Sequence, residues 1–290
     1  IPPVTLSKQI VEEIESTITK IARALSVIGL INVQFAVAGT TVYVIEANPR
    51  ASRTVPFVAK ATGVQLVKVA SRVMMGATLG QLRSEGLLPE KVKGGHVSVK
   101  EAVLPFNRFS EVDTALGPEM RSTGEVMGID DSFARAFAKA QFAAGTTLPE
   151  TGLVFVSLND RDKSGGVEVV NGLTSLGLQI AATTGTAKFL TEHGCTVSRI
   201  VGKFSERKSD GKGADDAVKL IEAGEIALVI NTPRGYGTRS DGEAIRKAAN
   251  NCRVSVVTTL SAATAAVQGM IEQRNRPFSV MSLQEFHGRQ

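Results

Sequence analysis

The spacing of apolar residues changes character near residue 150, and the elements it predicts fall into two groups. Between residues 5 and 28, Leu6, Ile10, Ile14, Ile18, Ile21 and Leu25 recur at steps of three and four, which predicts an amphipathic helix. INVQFAV (31–37) alternates Val33, Phe35 and Val37 against Asn32, Gln34 and Ala36, the period of a half-buried strand. A short polar turn near Ala38–Thr41 leads to a second apolar run, Val42 to Ile45, that closes on Glu46-Ala47-Asn48-Pro49, so the pair predicts a β-hairpin. A second helix is expected over about Phe57–Met75, interrupted near Gly63. Residues 78–150 hold a helical stretch, a Gly94-Gly95 turn, strand-like runs around 97–104 and 119–127, and a helix over Ser132–Ala143 capped by Asp131 or Ser132. The small, polar, Pro-containing AGTTLPETG (144–152) reads as a linker.

From Leu153 onward five short apolar runs alternate with helical stretches. They are LVFVSL, LQIAAT, TVSRIV, IALVINT and VSVVTTL, and a last helix follows at about Ala262–Gln273. Continuous apolar strands separated by helices predict an α/β fold with a five-stranded, doubly wound parallel sheet. With 290 residues the chain has room for two domains, each able to bury a core.

Composition narrows the possible functions. No apolar run approaches the length of a membrane span, and no signal-peptide pattern opens the chain. Cys195 and Cys252 stand alone, which suits a reduced, cytoplasmic protein. His96, His193 and His287 lack metal-ligand spacing and are expected to be surface or packing residues. The net charge of +5 is modest, and the basic residues Arg199, Lys203, Arg207, Lys208 and Lys212 are interleaved with no aromatic beyond Phe204. That argues against nucleic acid as a partner. The opening Ile1-Pro2-Pro3, without an initiator Met, suggests a piece of a larger protein.

Candidate chemistry gathers at two places. In VYVIEANPRASRT (42–54), Glu46 and Asn48 are two apart on a strand and share a face, and Arg50 and Arg53 follow the Pro49 stop. Hard oxygen donors beside guanidinium groups outline a nucleotide–Mg²⁺ site. The plainer alternative is an edge strand that exposes these groups to water. Gln34 can join them only if paired residue numbers sum to an even value, which calls for a three- or five-residue loop; a three-residue loop with a bulge at Gly39 satisfies this.

The second place is the rim formed by the carboxyl ends of the five strands, where ligands bind in such sheets. It carries Asn159 and Lys163, then Thr183-Thr184-Gly185-Thr186, then Lys203, then Asn231-Thr232, then Thr258-Thr259. Thr hydroxyls and N–H groups at the start of a helix over Ala187–Glu192, with two lysines nearby, make a phosphate cradle. The alternative is helix capping by Thr183 or Thr184 and solvated lysines.

These residues carry a family resemblance. INVQFAVAGTTVYVIEANPRASRTVPFVAKATG resembles the closing segment of an ATP-grasp domain, and more narrowly the second ATP-grasp half of the carbamoyl phosphate synthetase large subunit. SVKEAVLPFNRF (98–109) and LGPEMRSTGEVMG (116–128) are similar to the same family and more specific than the metal motif, and residues 153–290 resemble its methylglyoxal-synthase-like regulatory domain. The resemblance implies an incomplete ATP-grasp α+β segment (1–77), the end of that region with a linker (78–150) and an allosteric domain (151–290).

It also implies roles. Glu46 would hold Mg²⁺ or Mn²⁺ with Gln34 and Asn48, and Arg50 would stabilise the phosphoryl group passing from ATP to carbamate. Lys163, Thr183, Thr186, Lys203 and Asn231 match the family's phosphate positions for a UMP- or IMP-type effector, while Pro233 replaces a family Thr. Glu101 matches a ligand of ornithine, but Val256-Val257 stand where a Tyr-Asp pair is usual, so ornithine is expected to bind weakly or not at all. GKGADDAV (211–218) lacks the acidic motif of true methylglyoxal synthases, so lyase activity is not expected. Implied partners are a glutaminase small subunit and further copies of the large subunit. The implied pathways are arginine and pyrimidine biosynthesis. Because the phosphate-covering loop and adenine pocket belong to earlier sequence in the family, this chain by itself is expected not to turn over ATP.

Overall fold

The structure, a computed structural model, describes residues 1–90, 94–105, 120–202, 216–233 and 240–288. Two compact units divide the chain: residues 1–98 with 279–290, and residues 99–278. By contacts, residues 99–150 therefore group with the parallel sheet.

The first unit opens with helix α1 (Lys8–Ala24), whose cap Ser7 accepts a hydrogen bond from Ile10 N at 3.3 Å. Strands β1 (Asn32–Ala38) and β2 (Thr41–Asn48) form the expected antiparallel hairpin. The expected interruption near Gly63 divides the next helical stretch into two helices, α2 (Thr54–Thr62) and α3 (Leu66–Met74). Gly63 adopts φ +71°, a left-handed conformation that ends α2 and that glycine reaches without a Cβ penalty. Helix α4 (Leu79–Ser84) starts on a capping box between Thr78 and Gln81.

A small core of Val64, Val69 and Leu82 holds these helices. The C-terminal helix Leu283–Gly288 returns to the same unit, where His287 Nε2 lies 2.8 Å from Lys60 O and His96 Nε2 lies 2.7 Å from Ala61 O. Both imidazoles thus engage carbonyls at the end of α2, consistent with packing roles. The hairpin leaves Tyr43, Val44 and Ile45 exposed, Ile45 to 60%, and no residue of α1 is buried.

The division between the units falls within β3 (Val97–Val103), which pairs with β4 (Gly124–Asp130) as a two-stranded sheet, and helix α5 (Phe133–Ala143), capped by Ser132, follows. Then come β5 (Leu153–Ser157), α6 (Lys163–Ser175), β6 (Gln179–Thr183), α7 (Thr184–Glu192) and β7 (Arg199–Val201). They continue into α8 (Ala217–Glu222), β8 (Ile226–Asn231), α9 (Ser240–Asn251), β9 (Ser255–Val257) and α10 (Leu260–Asn275).

All five strands run parallel in the order β7-β6-β5-β8-β9, so the chain reverses its direction of travel at β5. Alternation along β5 explains the two layers. Val154 and Val156 join a core with residues of α6, α7 and α10, whereas Phe155 joins Leu220 and Ile221 of α8 and Ile245 of α9. The sheet is covered on both faces, as its continuous apolar strands require.

A candidate anion rim and a candidate metal hairpin

The hairpin brings three oxygen-bearing side chains to one face, by a route that differs from the expected loop. Ala38 pairs with Thr41, so the connection is a two-residue turn, with Gly39 at φ +61°. Phe35 pairs with Val44, but Gln34 pairs with Glu46 and Asn32 with Asn48. Ile45 is the extra residue of a β-bulge, which changes the parity of the register within the strand rather than in the turn. Gln34, Glu46 and Asn48 therefore share a face, joined by Asn32, which sequence reasoning passed over because the parity argument centred on Gln34.

Glu46 and Gln34 are exposed and Asn32 and Asn48 half-buried. Among the described residues no three His, Cys, Asp or Glu side chains cluster to hold a metal. One carboxylate with amide oxygens does fit Mg²⁺, which draws the rest of its coordination from water and substrate phosphates. Arg50 lies on the turn after β2, exposed, with Nη1 donating to Ala51 O at 3.1 Å.

The rim is built around the end of β5. Leu158 N donates to Thr186 Oγ1 at 3.1 Å, and Asn159 N donates to Thr232 Oγ1 at 2.9 Å. Those two bonds tie β5 to the start of α7 on one side and to the end of β8 on the other. Thr183 and Thr186 hydroxyls pair with each other at 3.1 Å, and Thr183, the residue before α7, makes no side-chain cap. The first N–H groups of α7 are thus spared a hydroxyl cap, and Thr184 and Gly185 at that end are exposed. A Cβ on Gly185 would lie 3.9 Å from Lys163 Nζ, which places the ammonium over this helix start.

Lys163 is 14% exposed and pairs with Asp160 at 2.7 Å, a carboxylate 74% exposed. Asn159 also donates from Nδ2 to Asp162 Oδ2 at 2.6 Å and to Pro233 O at 3.3 Å, so Pro233 meets the rim through its carbonyl. Asn231 is buried at the end of β8, and its Oδ1 accepts from Arg246 Nη1 at 2.9 Å. Arg246 escaped the sequence reading; its signal is one arginine beside Ile245, Ala248 and Ala249 on the sheet-facing side of α9. Lys203 lies outside the described residues. Asp216 caps α8, with Oδ1 accepting from Val218 N at 3.0 Å, as a helix-start charge should.

Elsewhere in this unit Glu101 is half-buried and accepts from Gln141 Nε2 at 2.8 Å. Burial is the larger influence and raises its carboxyl above the usual range despite that bond. Arg135, 2% exposed, lies 3.2 Å from Asp130 and donates to the carbonyls of Arg276 and Pro277. Burial would raise the Asp130 carboxyl, but Lys139 at 2.8 Å, the Asp131 N–H and Arg135 outweigh it and bring it down to about 2.

Residues 1–82 match the family described as carbamoyl-phosphate synthase L chain, ATP binding domain, and residues 165–258 match the MGS-like domain family. The carbamoyl phosphate synthase large chain of Beutenbergia cavernae is 53% identical over 299 residues, covering 98% of this chain and 26% of that one. Its counterparts from Mycobacterium sp. strain JLS and Synechocystis sp. are 48% and 47% identical, each over 99% of this chain and 27% and 26% of theirs. The crystal structure of ForH aligns with 48% of this chain and 92% of its own at 19% identity and a TM-score of 0.27, too low to bear on the fold. The chain spans about a quarter of the length of the curated relatives it matches. Among the described residues no helix is long and apolar enough to cross a membrane. With both domain families matched in order and identity near one half along the whole sequence, this chain belongs to the carbamoyl phosphate synthase large-chain family.

Proposed function

We propose that this chain serves a carbamoyl phosphate synthase in two ways, supplying part of a MgATP site and a regulatory site for a nucleoside monophosphate. The observation that carries the second role is the rim. A near-buried lysine stands over an uncapped helix start, beside buried threonine and asparagine side chains at the ends of adjacent parallel strands. Helix N–H groups and an ammonium together favour a phosphate dianion, and in such sheets ligands bind beyond the carboxyl ends of the strands. Lys163, Thr183, Thr184, Thr186, Asn231 and Thr232, with Lys203, are the proposed phosphate-binding set, and UMP and IMP are the proposed effectors.

In the first role, Glu46, Gln34 and Asn48 would hold Mg²⁺ or Mn²⁺. Bound there, the ion would neutralise phosphate charge during transfer from ATP to carbamate. Arg50, at the strand end, would bind the phosphoryl oxygens through its guanidinium donors. The hairpin fixes where these donors stand, so its contribution is positioning. Carbamoyl phosphate made this way would feed arginine and pyrimidine biosynthesis in the cytoplasm. A glutaminase small subunit would supply ammonia, and large chains would self-associate. Ornithine is assigned at most a weak site at Glu101.

Calorimetric titration of this chain with UMP and IMP tests the rim, with Lys163→Ala and Lys203→Ala as controls. Saturable binding that either substitution weakens is the expected result. Absence of binding, with the sheet domain shown to be folded, would remove the regulatory assignment.

A further inference from the structure

We infer that Arg246 is a positioning residue that sets which edge of the Asn231 carboxamide faces a bound phosphate, an inference that rests on the rim being a phosphate site. Arg246 is 6% exposed and Asn231 5%, so the contact between them is shielded from solvent. Nη1 stands 2.9 Å from Asn231 Oδ1. A guanidinium can only donate, so the carboxamide must turn its oxygen toward Arg246. The opposite orientation would set N–H against N–H in a buried place.

The amide nitrogen of Asn231 is therefore the edge that Arg246 does not hold, and it is the side able to donate. A phosphate accepts hydrogen bonds and repels carbonyl oxygens, so an unheld asparagine would present the wrong edge part of the time. Arg246 removes that freedom before the ligand arrives, which is preorganisation.

The sequence around the pair fits this use. Gly242, one turn before Arg246 on α9, leaves the guanidinium its place: a Cβ there would come within 2.9 Å of Nη1 and 3.5 Å of Asn231 Oδ1. Arg246 thus has a packing slot that a larger residue at 242 would fill. The contact joins residues 15 apart in sequence, from a strand end to the following helix.

The test uses the whole chain, with inorganic phosphate and UMP as probes, calorimetry for affinity, and ¹⁵N NMR of the Asn231 side-chain amide for orientation. Arg246→Met is expected to weaken both probes by about tenfold or more, the effect of misdirecting one donor to an anion. Arg246→Lys, which keeps a cationic donor, is expected to restore most of that loss. With Asn231→Ala in place, Arg246→Met should cost nothing further. Gly242→Ala offers a second route should Arg246→Met unfold: it keeps the arginine but crowds its guanidinium, and is expected to weaken phosphate and shift the Asn231 amide signals.

Wild-type binding with Arg246→Met and Gly242→Ala equally tight would overturn the positioning role and leave the phosphate site standing. Failure of the wild type to bind either probe would remove both. Loss in Arg246→Met that Arg246→Lys does not relieve, with unchanged Asn231 amide signals, would also overturn it, since the arginine would then act otherwise than by holding that amide.

Discussion

Gln34 and Glu46 stand directly opposite one another across the β1–β2 hairpin, and they do so because Ile45 bulges out of β2. One strand residue before the bulge, Phe35 meets Val44, and a regular ladder continued from there would set Gln34 against Ile45. Glu46 would then point to the other face, away from Gln34. A one-residue irregularity thus decides whether the three candidate ligands can converge.

Glu46→Gln is expected to weaken ATP-dependent Mn²⁺ binding by the complete large chain by about tenfold or more, because it removes the site's carboxylate. Exposure of Glu46 keeps the structural cost small, so the thermal midpoint should not move. Deleting Ile45 gives the complementary result. The shortened strand keeps Glu46 opposite Gln34 in regular register, so electron paramagnetic titration should find Mn²⁺ binding retained.

Asp160 occupies the ammonium that a phosphate would use. Its pair with Lys163 is 2.7 Å long, but the carboxylate is 74% exposed, so the contact is worth only about 0.2–1 kcal/mol. Asp160→Asn is accordingly expected to tighten phosphate or UMP binding by about two- to fivefold. Raising the salt concentration should shrink the difference between variant and wild type.

The Asp130 cluster predicts a specific acid sensitivity. Its folded carboxyl lies at about 2, below the ordinary 3.8, so the unfolded state binds the proton more readily. Stability from this group is complete above the ordinary value and is lost as pH falls from there through about 2. Thermal midpoints measured down that window should fall for the wild type and flatten for Asp130→Asn. At neutral pH the variant should cost about 1–3 kcal/mol, because the buried Arg135 guanidinium loses its nearest carboxylate while keeping its bonds to the carbonyls of Arg276 and Pro277.

Packing of α5 against β4 sets the cost of added volume at Gly128. A Cβ there would collide with the carbonyl of Ala136 and the amide of Ala140, both backbone atoms that cannot swing aside. At Gly269 of α10 the nearest atoms are Ala138 Cβ at 2.9 Å and Ala134 O at 3.0 Å, a milder clash. Gly128→Ala should therefore destabilise the sheet unit by about 3 kcal/mol or more, and Gly269→Ala by about 1–3 kcal/mol. Urea midpoints of the two variants would rank them.

Much of this protein follows from its sequence alone. The step of three and four in α1, the alternation in β1, and five apolar runs separated by helices each determine an element through the backbone's own repeat, which needs no distant partner. Because parallel sheets present their strand ends as one rim, the places of Lys163, Thr183 and Asn231 at those ends were legible as well.

What the tertiary structure decided lies between elements. The bulge at Ile45 shifts register without a Gly or Pro to announce it. Thr232 and Asn159 meet across 73 positions, and Arg246 reaches Asn231 from another element. Such polar pairings depend on which buried donors and acceptors must find one another once the sheet has closed. No local period records that requirement, so the rim's residues could be read along the chain while the bonds that aim them could not.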